Sequence, residues 1–416
     1  MNKQTVVFFP LETGIAHIVR SLAIAEELQK RGYKIIFCLP RRKHSLFKNT
    51  PVKFTDIKGY SHVDSMETLE KVRDPDFLLS QTNSELKILQ TYKPDFAVID
   101  YRISALVSCK SLKIPMAFIT NTTGLPYQTY LPNFFHFNSS FFGLFNKIFI
   151  PFINYVKTQL LLKPLNEASN KLTKLPFNFK KEVSFIVPES VNYLPLLERA
   201  QNVGYVEHIV WNGFKVYSPP WIKKIKPELK TVYLTFGGTG FDKQRLISLS
   251  NDLLKLGYQV IVSYSTIVSA DDFKIHENLF LANFISLPLI AKHIDLIVCH
   301  GGYGTLIEAI QMGIPFISIP FNPDQWLHAT RFEELGYGKS IVEKPWKFLV
   351  SAVNFKWTKM EQMTKSIDTK NVIKVVQEVL SNPQFYRKNR NKVPIGGKNG
   401  NIKSANYIES MIKNKQ

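Results

Sequence analysis

The stretch "VCHGGYGTLIEA", residues 298–309, decides how the rest of the chain reads. An apolar run ends at His300. Gly301 and Gly302 come next, then Gly304, then Thr305 and a helical pattern carrying Glu308. In open α/β sheets, ligands sit beyond the carboxyl ends of the strands, at the first turns of the following helices. A helix N-terminus there offers free N–H groups and partial positive charge. Gly301, Gly302 and Gly304 let backbone amides approach a phosphate with no Cβ in the way. Thr305 can cap the helix and donate to a phosphate oxygen. His300, at the strand tip, can donate to a diphosphate. Glu308, one turn beyond Gly304, can accept both hydroxyls of a ribose. Taken alone, the glycines also fit a turn that only packs a helix on a strand.

The next segment, "GIPFISIPFNPDQWLHATRFEELGYG", puts Asp324 and Gln325 in the loop after the following strand, on the same sheet edge. An acid–amide pair suits sugar hydroxyls, because both side chains present planar acceptors and the amide also donates. Asp324 by itself also fits a loop cap.

Further out, short apolar strands alternate with helical patterns. "TVVFFP", "YKIIFCLP", "DFAVID" and "PMAFIT" are strands. "IVRSLAIAEELQKRG" and "SALVSCKSLK" are helices between them. The pattern restarts at "TVYLTFGG" (231–238) and runs on through "YQVIVSYS", "IDLIVCH" and "PFISIP". Such alternation means parallel strands with crossover helices on both faces. The expected architecture is α/β, two Rossmann-like doubly wound domains in tandem: residues 1–214 and 231–395. A Pro- and Lys-rich linker, 215–230, joins them. A C-terminal amphipathic helix within 396–416, apolar at Ala405, Ile408, Met411 and Ile412, is free to dock on the first domain.

A length of 416 residues suits two cores, and 45% hydrophobic residues with a mean hydropathy of -0.07 suit a globular chain. Cys38, Cys109 and Cys299 lie far apart and read as reduced core thiols of a cytosolic protein. The N-terminal apolar run is broken at Glu12, too early for a signal peptide, so export is not expected. The formal charge of +20 suits nucleic acid, an anionic bilayer or acidic substrates; lysine-biased coding and solubility account for it equally well. No nucleic-acid motif accompanies the charge, and nucleic acid is not expected as a partner.

The run "HGGYGTLIEAIQMGIPFISIPFNPDQ" resembles the donor signature of nucleotide-sugar-dependent glycosyltransferases with two Rossmann-like domains (the GT-B architecture). The UDP-glucuronosyl, UDP-glucosyl and macrolide glycosyltransferases are among them, and the lipid-linked transferases of cell-wall synthesis are more distant. The resemblance implies diphosphate contacts at His300, Gly302 and Thr305. It implies a ribose contact at Glu308 and sugar contacts at Asp324 and Gln325. "LTFGGTG" matches the family's F-G-S loop, which implies that Gly238 and Thr239 touch the phosphates from the facing turn. The tryptophan that stacks on uracil in plant members is missing, since that region reads "ANFISLPLI". The backbone of Phe284 and Ile285 would hold the base instead, which leaves thymidine and guanosine donors open beside uridine.

In the first half, "LETGIAHIVRSLAIAEEL" places Gly14 and His17 at the first strand-to-helix turn. The resemblance makes this histidine the general base and turns it toward a cleft between the domains. A histidine, with an ordinary pKa of ~6.5, can take an acceptor hydroxyl's proton as the glycosidic bond forms. "PDFAVIDYR" supplies Asp100 at the end of a later strand, able to hold one ring nitrogen. A capping or phosphate-contact role for His17, and an N-cap role for Asp100 on the helix from Ser104, are the plainer readings. His44, His62, His136, His208, His276, His293 and His328 lack such company. No metal or cofactor is expected, the nucleotide sugar being a substrate.

No acidic residue lies between Asp100 and Glu167, whereas Arg102, Lys110, Lys113, Lys147, Lys157 and Lys163 do. Phe141, Phe145, Ile148, Phe149, Phe152 and Val156 recur there at helical spacing. That fits a pocket for a hydrophobic or lipid acceptor, an interfacial helix on an anionic membrane, or a buried helix pair. The expected activity is inverting, metal-independent hexosyl transfer, from a UDP-sugar first of all, by a cytoplasmic enzyme that can associate with the inner membrane face. A UDP-sugar 2-epimerase and a silent nucleotide-sugar-binding subunit are the rival readings.

Overall fold

The computed structural model describes residues 3–60, 70–126, 139–191, 193–194, 200–213, 217–237, 242–264, 268–342, 347, 359, 362–364, 367–388 and 399–413. The chain forms two compact units. The first comprises Met1–Leu131, Phe137–Lys215 and Ile395–Gln416, and the second Pro132–His136 and Val216–Pro394.

The first unit is built on a seven-stranded sheet ordered β3-β2-β1-β4-β5-β6-β7. Its strands are β1 (Thr5–Pro10), β2 (Lys34–Cys38), β3 (Phe54–Thr55), β4 (Phe96–Asp100), β5 (Met116–Ile119), β6 (Val183–Val187) and β7 (Val203–Tyr205). All neighbours pair in parallel. β1 and β4 are buried along their whole length, which is why each reads as an unbroken apolar run. The strand order reverses between them, with Pro10 opposite Asp100. Helix α1 (Ile15–Lys30) leaves β1 and buries Ile18, Leu22, Ile24 and Leu28. Helices α2 (Pro75–Tyr92) and α3 (Ser104–Ser111) flank β4 in sequence.

One helix, α4 (Ser139–Thr173), replaces the buried helix pair considered for this region, and it carries Pro151 and Pro164 in its interior. Its second half packs into the core through Leu165 and Ala168. In its first half Ile150 is buried, while Leu144, Ile148, Phe152 and Tyr155 are 58–63% exposed. The side chains of Phe141 and Phe145 lie outside the described residues.

The second unit has a six-stranded sheet ordered β10-β9-β8-β11-β12-β13. Its strands are β8 (Thr231–Thr235), β9 (Gln259–Ser263), β10 (Leu279–Ala282), β11 (Leu296–Cys299), β12 (Phe316–Ser318) and β13 (Gly338–Ser340), again all parallel. Helices α5 (Lys243–Lys255), α6 (Tyr303–Gln311), α7 (Pro323–Glu334) and α8 (Thr369–Ser381) complete it. The strand order here reverses between β8 and β11. The segment expected as a free linker belongs partly to this unit, since the Trp221 indole donates to the Leu281 carbonyl at 2.9 Å and stacks on Phe280.

The last helix, α9 (Gly400–Lys413), returns to the first unit. Ala405, Ile408 and Ile412 are buried in one cluster with Ile18 and Leu22 of α1. Arg31 ties the pair at the surface, donating to Asn406 at 2.7 Å and to Glu409 at 2.8 Å.

Candidate active site

Each sheet has its switch point where its order reverses, and the sequence places its polar residues there. In the first unit His17 opens α1 just after β1, and Asp100 ends the neighbouring β4. His17 Nδ1 lies 2.7 Å from Asp100 Oδ1. An ionised carboxylate only accepts, so Nδ1 carries the proton and Nε2 keeps its lone pair. The His17 side chain is 24% exposed, whereas Asp100 is fully buried. Helix α3 has Ile103 at its N-cap with no side-chain bond, so Asp100 is not its cap.

Asp100 has a second partner that the sequence does not announce. Arg20 Nε donates to Oδ2 at 2.5 Å and Arg20 Nη2 to Oδ1 at 2.6 Å. Burial alone raises a carboxyl; the Arg20 guanidinium and then His17 outweigh it and hold Asp100 below its ordinary value of 3.8. The one available signal is spacing, because Arg20 stands three residues after His17 and therefore on the same helix face.

The loops around this pair are pinned by a buried ionic network. Arg102 Nε donates to Glu85 at 2.6 Å, and Arg102 Nη1 stands 3.8 Å from Glu12 in the loop after β1. Tyr60 N–H donates to Glu12 as well. Arg102, one of the basic residues of the acid-free stretch after Asp100, is 1% exposed and committed to Glu85. Lys110 pairs with Glu182 at 2.9 Å.

In the second unit β11 ends at Cys299 and α6 begins at Tyr303, with His300, Gly301 and Gly302 between. Gly301 has φ +83°, and a Cβ there would strike Ser318 Oγ. A Cβ on Gly302 would come within 2.6 Å of His300 Nε2. Space requires both glycines, and at Gly301 the backbone conformation does too. Gly237, with φ +65°, ends the facing turn after β8, and its Cβ position is 3.4 Å from the His300 ring. Gly238 and Thr239 lie outside the described residues.

Gly302 is the N-cap of α6, which has no side-chain cap and no acidic residue in its first turn. Thr305 is the third residue of the helix and does not cap it. By contrast, Asp242 caps α5, Asn322 caps α7 and Asp368 caps α8. A helix N-terminus without a side-chain cap is a setting that suits an anion. Burial pushes His300 down to about 4, with the nearby Thr235 backbone working the other way. The imidazole is therefore neutral at pH 7, and its Nδ1 is buried without a hydrogen bond. Gly304 is exposed, and Thr305 and Glu308 are half-buried along the same helix.

Asp324 and Gln325 lie in the first turn of α7, not in a loop. Gln325 is buried, and its Oε1 accepts from Phe321 N–H at 2.8 Å. This fixes the amide and leaves the NH2 end for a ligand. Asp324 Oδ1 is 3.2 Å from Nε2 of His328, which is fully buried. His328, without company in the sequence, stands one turn along α7 and orients that carboxylate. Phe284 is 64% exposed and Ile285 is buried, just past β10. Among the described residues, no group of three or more His, Cys, Asp or Glu side chains forms a metal site, and no helix is long and apolar enough to cross a membrane.

Residues 231–379 match the glycosyltransferase family 28 C-terminal domain. Over 361 residues the chain is 25% identical to a PGL/p-HBAD biosynthesis rhamnosyltransferase of Mycobacterium bovis (strain BCG / Pasteur 1173P2), covering 81% of this chain and 76% of that one. It is 24% identical over 408 residues to a PGL/p-HBAD biosynthesis glycosyltransferase of Mycobacterium tuberculosis (strain ATCC 25177 / H37Ra), covering 92% and 86%. Among solved structures, the calicheamicin glycosyltransferase CalG4 superposes with a TM-score of 0.64 at 16% identity, over 100% of this chain and 99% of that one. The spinosyn rhamnosyltransferase SpnG superposes with a TM-score of 0.60 at 14% identity, over 99% and 100%. With two switch-point sheets and a glycine turn leading into a helix without a side-chain cap, the chain has the GT-B fold, and residues 231–379 of its second unit resemble the glycosyltransferase family 28 C-terminal domain.

Proposed function

We propose that the protein is an inverting glycosyltransferase that moves a hexose from a nucleoside diphosphate sugar to a hydroxyl of an apolar acceptor. The acceptor oxygen attacks the anomeric carbon as the bond to the diphosphate breaks. The proton passes to His17 Nε2, and the electron pair leaves with the diphosphate. Asp100 holds Nδ1 and stabilises the imidazolium that forms. The observation that carries this reading is the 2.7 Å contact between His17 and a fully buried carboxylate at the switch point of the first sheet.

The donor belongs to the second unit. The amides of Gly301 and Gly302, the first turn of α6 and Thr305 meet the diphosphate charge, so leaving-group stabilisation needs no divalent cation. Glu308 takes the ribose, and Asp324 and Gln325 take the sugar. The base moiety rests at Phe284 and Ile285. The rhamnosyltransferase relatives, and a glycosyltransferase neighbour solved with thymidine diphosphate, favour a deoxyhexose on thymidine diphosphate beside the UDP-sugars.

The acceptor is a hydrophobic small molecule or a lipid, in keeping with the relatives' role in PGL/p-HBAD biosynthesis. The exposed apolar stripe of α4, with Lys147 exposed beside it, suits peripheral contact with an anionic bilayer at the inner membrane face.

The test is incubation with a panel of tritiated UDP- and dTDP-sugars and a lipid extract. Label should enter the organic phase with wild type and not with His17→Ala, while donor affinity stays near wild type. Normal turnover by His17→Ala would remove the base assignment.

A further inference from the structure

We propose that Arg20 is a positioning residue of the His17–Asp100 pair: its guanidinium fixes the carboxylate that orients the ring, and its charge opposes a second positive charge on the imidazole. The inference rests on reading His17 as the base. Both side chains leave the same face of α1, one turn apart.

The guanidinium is held at three corners. Nε donates to Asp100 Oδ2 at 2.5 Å, Nη2 to Oδ1 at 2.6 Å, and Nη1 to Asn121 Oδ1, after β5, at 3.4 Å. Its central carbon is 5.9 Å from the Tyr101 ring, which itself stands 4.9 Å from the His17 ring. The planar fork therefore sets the plane of the carboxylate, and the carboxylate sets the tautomer of His17.

Asp100 Oδ1 accepts from two donors at once, and those donors, Arg20 Nη2 and His17 Nδ1, are 3.1 Å apart. A shared anionic oxygen makes that approach tolerable. Facing the pair are Arg20 and Ser21 from α1, Asp100 and Tyr101 from the end of β4, and Asn121 from the loop after β5. Arg20 and Asp100 are the two of these that are charged at neutral pH. Counting His17, Arg20 and Asp100 alone, a neutral imidazole leaves zero net charge and protonation leaves plus one. Without Arg20, protonation of His17 would neutralise a buried carboxylate, and the ring would be drawn into an ion pair.

The proposal can be read without any acceptor. In full-length protein labelled with 13C-histidine, the His17 Cε1–H resonance is assigned by its loss in His17→Gln and titrated with pH. Arg20→Gln should move its midpoint up by about one pH unit or more. Arg20→Lys, which keeps the charge, should stay within about half a unit of wild type. Should Arg20→Gln fail to fold, Arg20→Met retains an uncharged aliphatic stem and is read the same way. A midpoint that stays put in the neutral variants overturns the proposal. Failure of the base reading shows separately, as turnover by His17→Ala.

Discussion

Asp100→Asn tests the first sheet's switch point most sharply. The carboxylate is fully buried and accepts from Arg20 at 2.5 and 2.6 Å and from His17 at 2.7 Å. An asparagine retains one acceptor oxygen. With its NH2 at the Oδ1 position, that group confronts both Arg20 Nη2–H and His17 Nδ1–H. The ring must then carry its proton on Nε2, and the base is gone. With its NH2 at the Oδ2 position, Arg20 Nε–H loses its acceptor and a largely buried cation loses its counter-charge. Either way at least one buried charge-assisted bond is lost, a destabilisation of about 3 kcal/mol. The rate should fall by about 10³–10⁴, as expected for a base held in the wrong tautomer. Urea denaturation reads the first figure. Initial rates of label transfer, with the donor and acceptor that the panel identifies, read the second. A depressed carboxyl contributes stability that is full above its unfolded value and lost as pH falls through its folded one, so the variant should also lose part of the acid destabilisation expected below pH 3.8. Turnover within about tenfold of wild type, with unchanged urea midpoint, would refute the account of Asp100.

His300 is held at about 4 in the folded chain against an ordinary 6.5, so the unfolded chain binds a proton across that window and the folded one does not. Stability should fall as pH drops from about 6.5 to 4, by up to about 3 kcal/mol, and His300→Gln should flatten that slope in urea titrations; equal slopes would count against a buried neutral ring. Gly301→Ala puts a methyl onto Ser318 at a positive φ, and should cost about 1–3 kcal/mol and at least tenfold in calorimetric affinity for dTDP or UDP. Wild-type affinity would mean the turn does not touch phosphate. Ile408→Ala removes a fully buried contact between α9 and α1, and should cost about 2–5 kcal/mol by denaturation; no change would show that the last helix is dispensable. Ile148→Ser with Phe152→Ser should leave the melting temperature intact and abolish sedimentation with phosphatidylglycerol vesicles, whereas retained sedimentation would exclude this stripe as the contact.

The sequence by itself determined the two parallel sheets and their switch points. β1, β4, β8 and β11 are buried almost throughout, so each is written as an apolar run, and a glycine, histidine or aspartate stands at or just past the end of each. Local pattern carries that information because burial and turn geometry act over a few residues. The small edge strands β3, β7 and β13 escaped it, being two or three residues long with no periodicity to read, and β6 and β10 were missed as well. Only the tertiary structure decided which charges meet. Arg20 and Asp100 are 80 residues apart, and Arg102 and Glu85 pair in the core, which no local pattern announces. Likewise the Phe-rich stretch of α4 has helical spacing whether its face is covered or bare, and only the packing around the helix left that stripe open. A hydrogen bond or a buried face depends on distances closed by the whole chain, and no short window of sequence contains them.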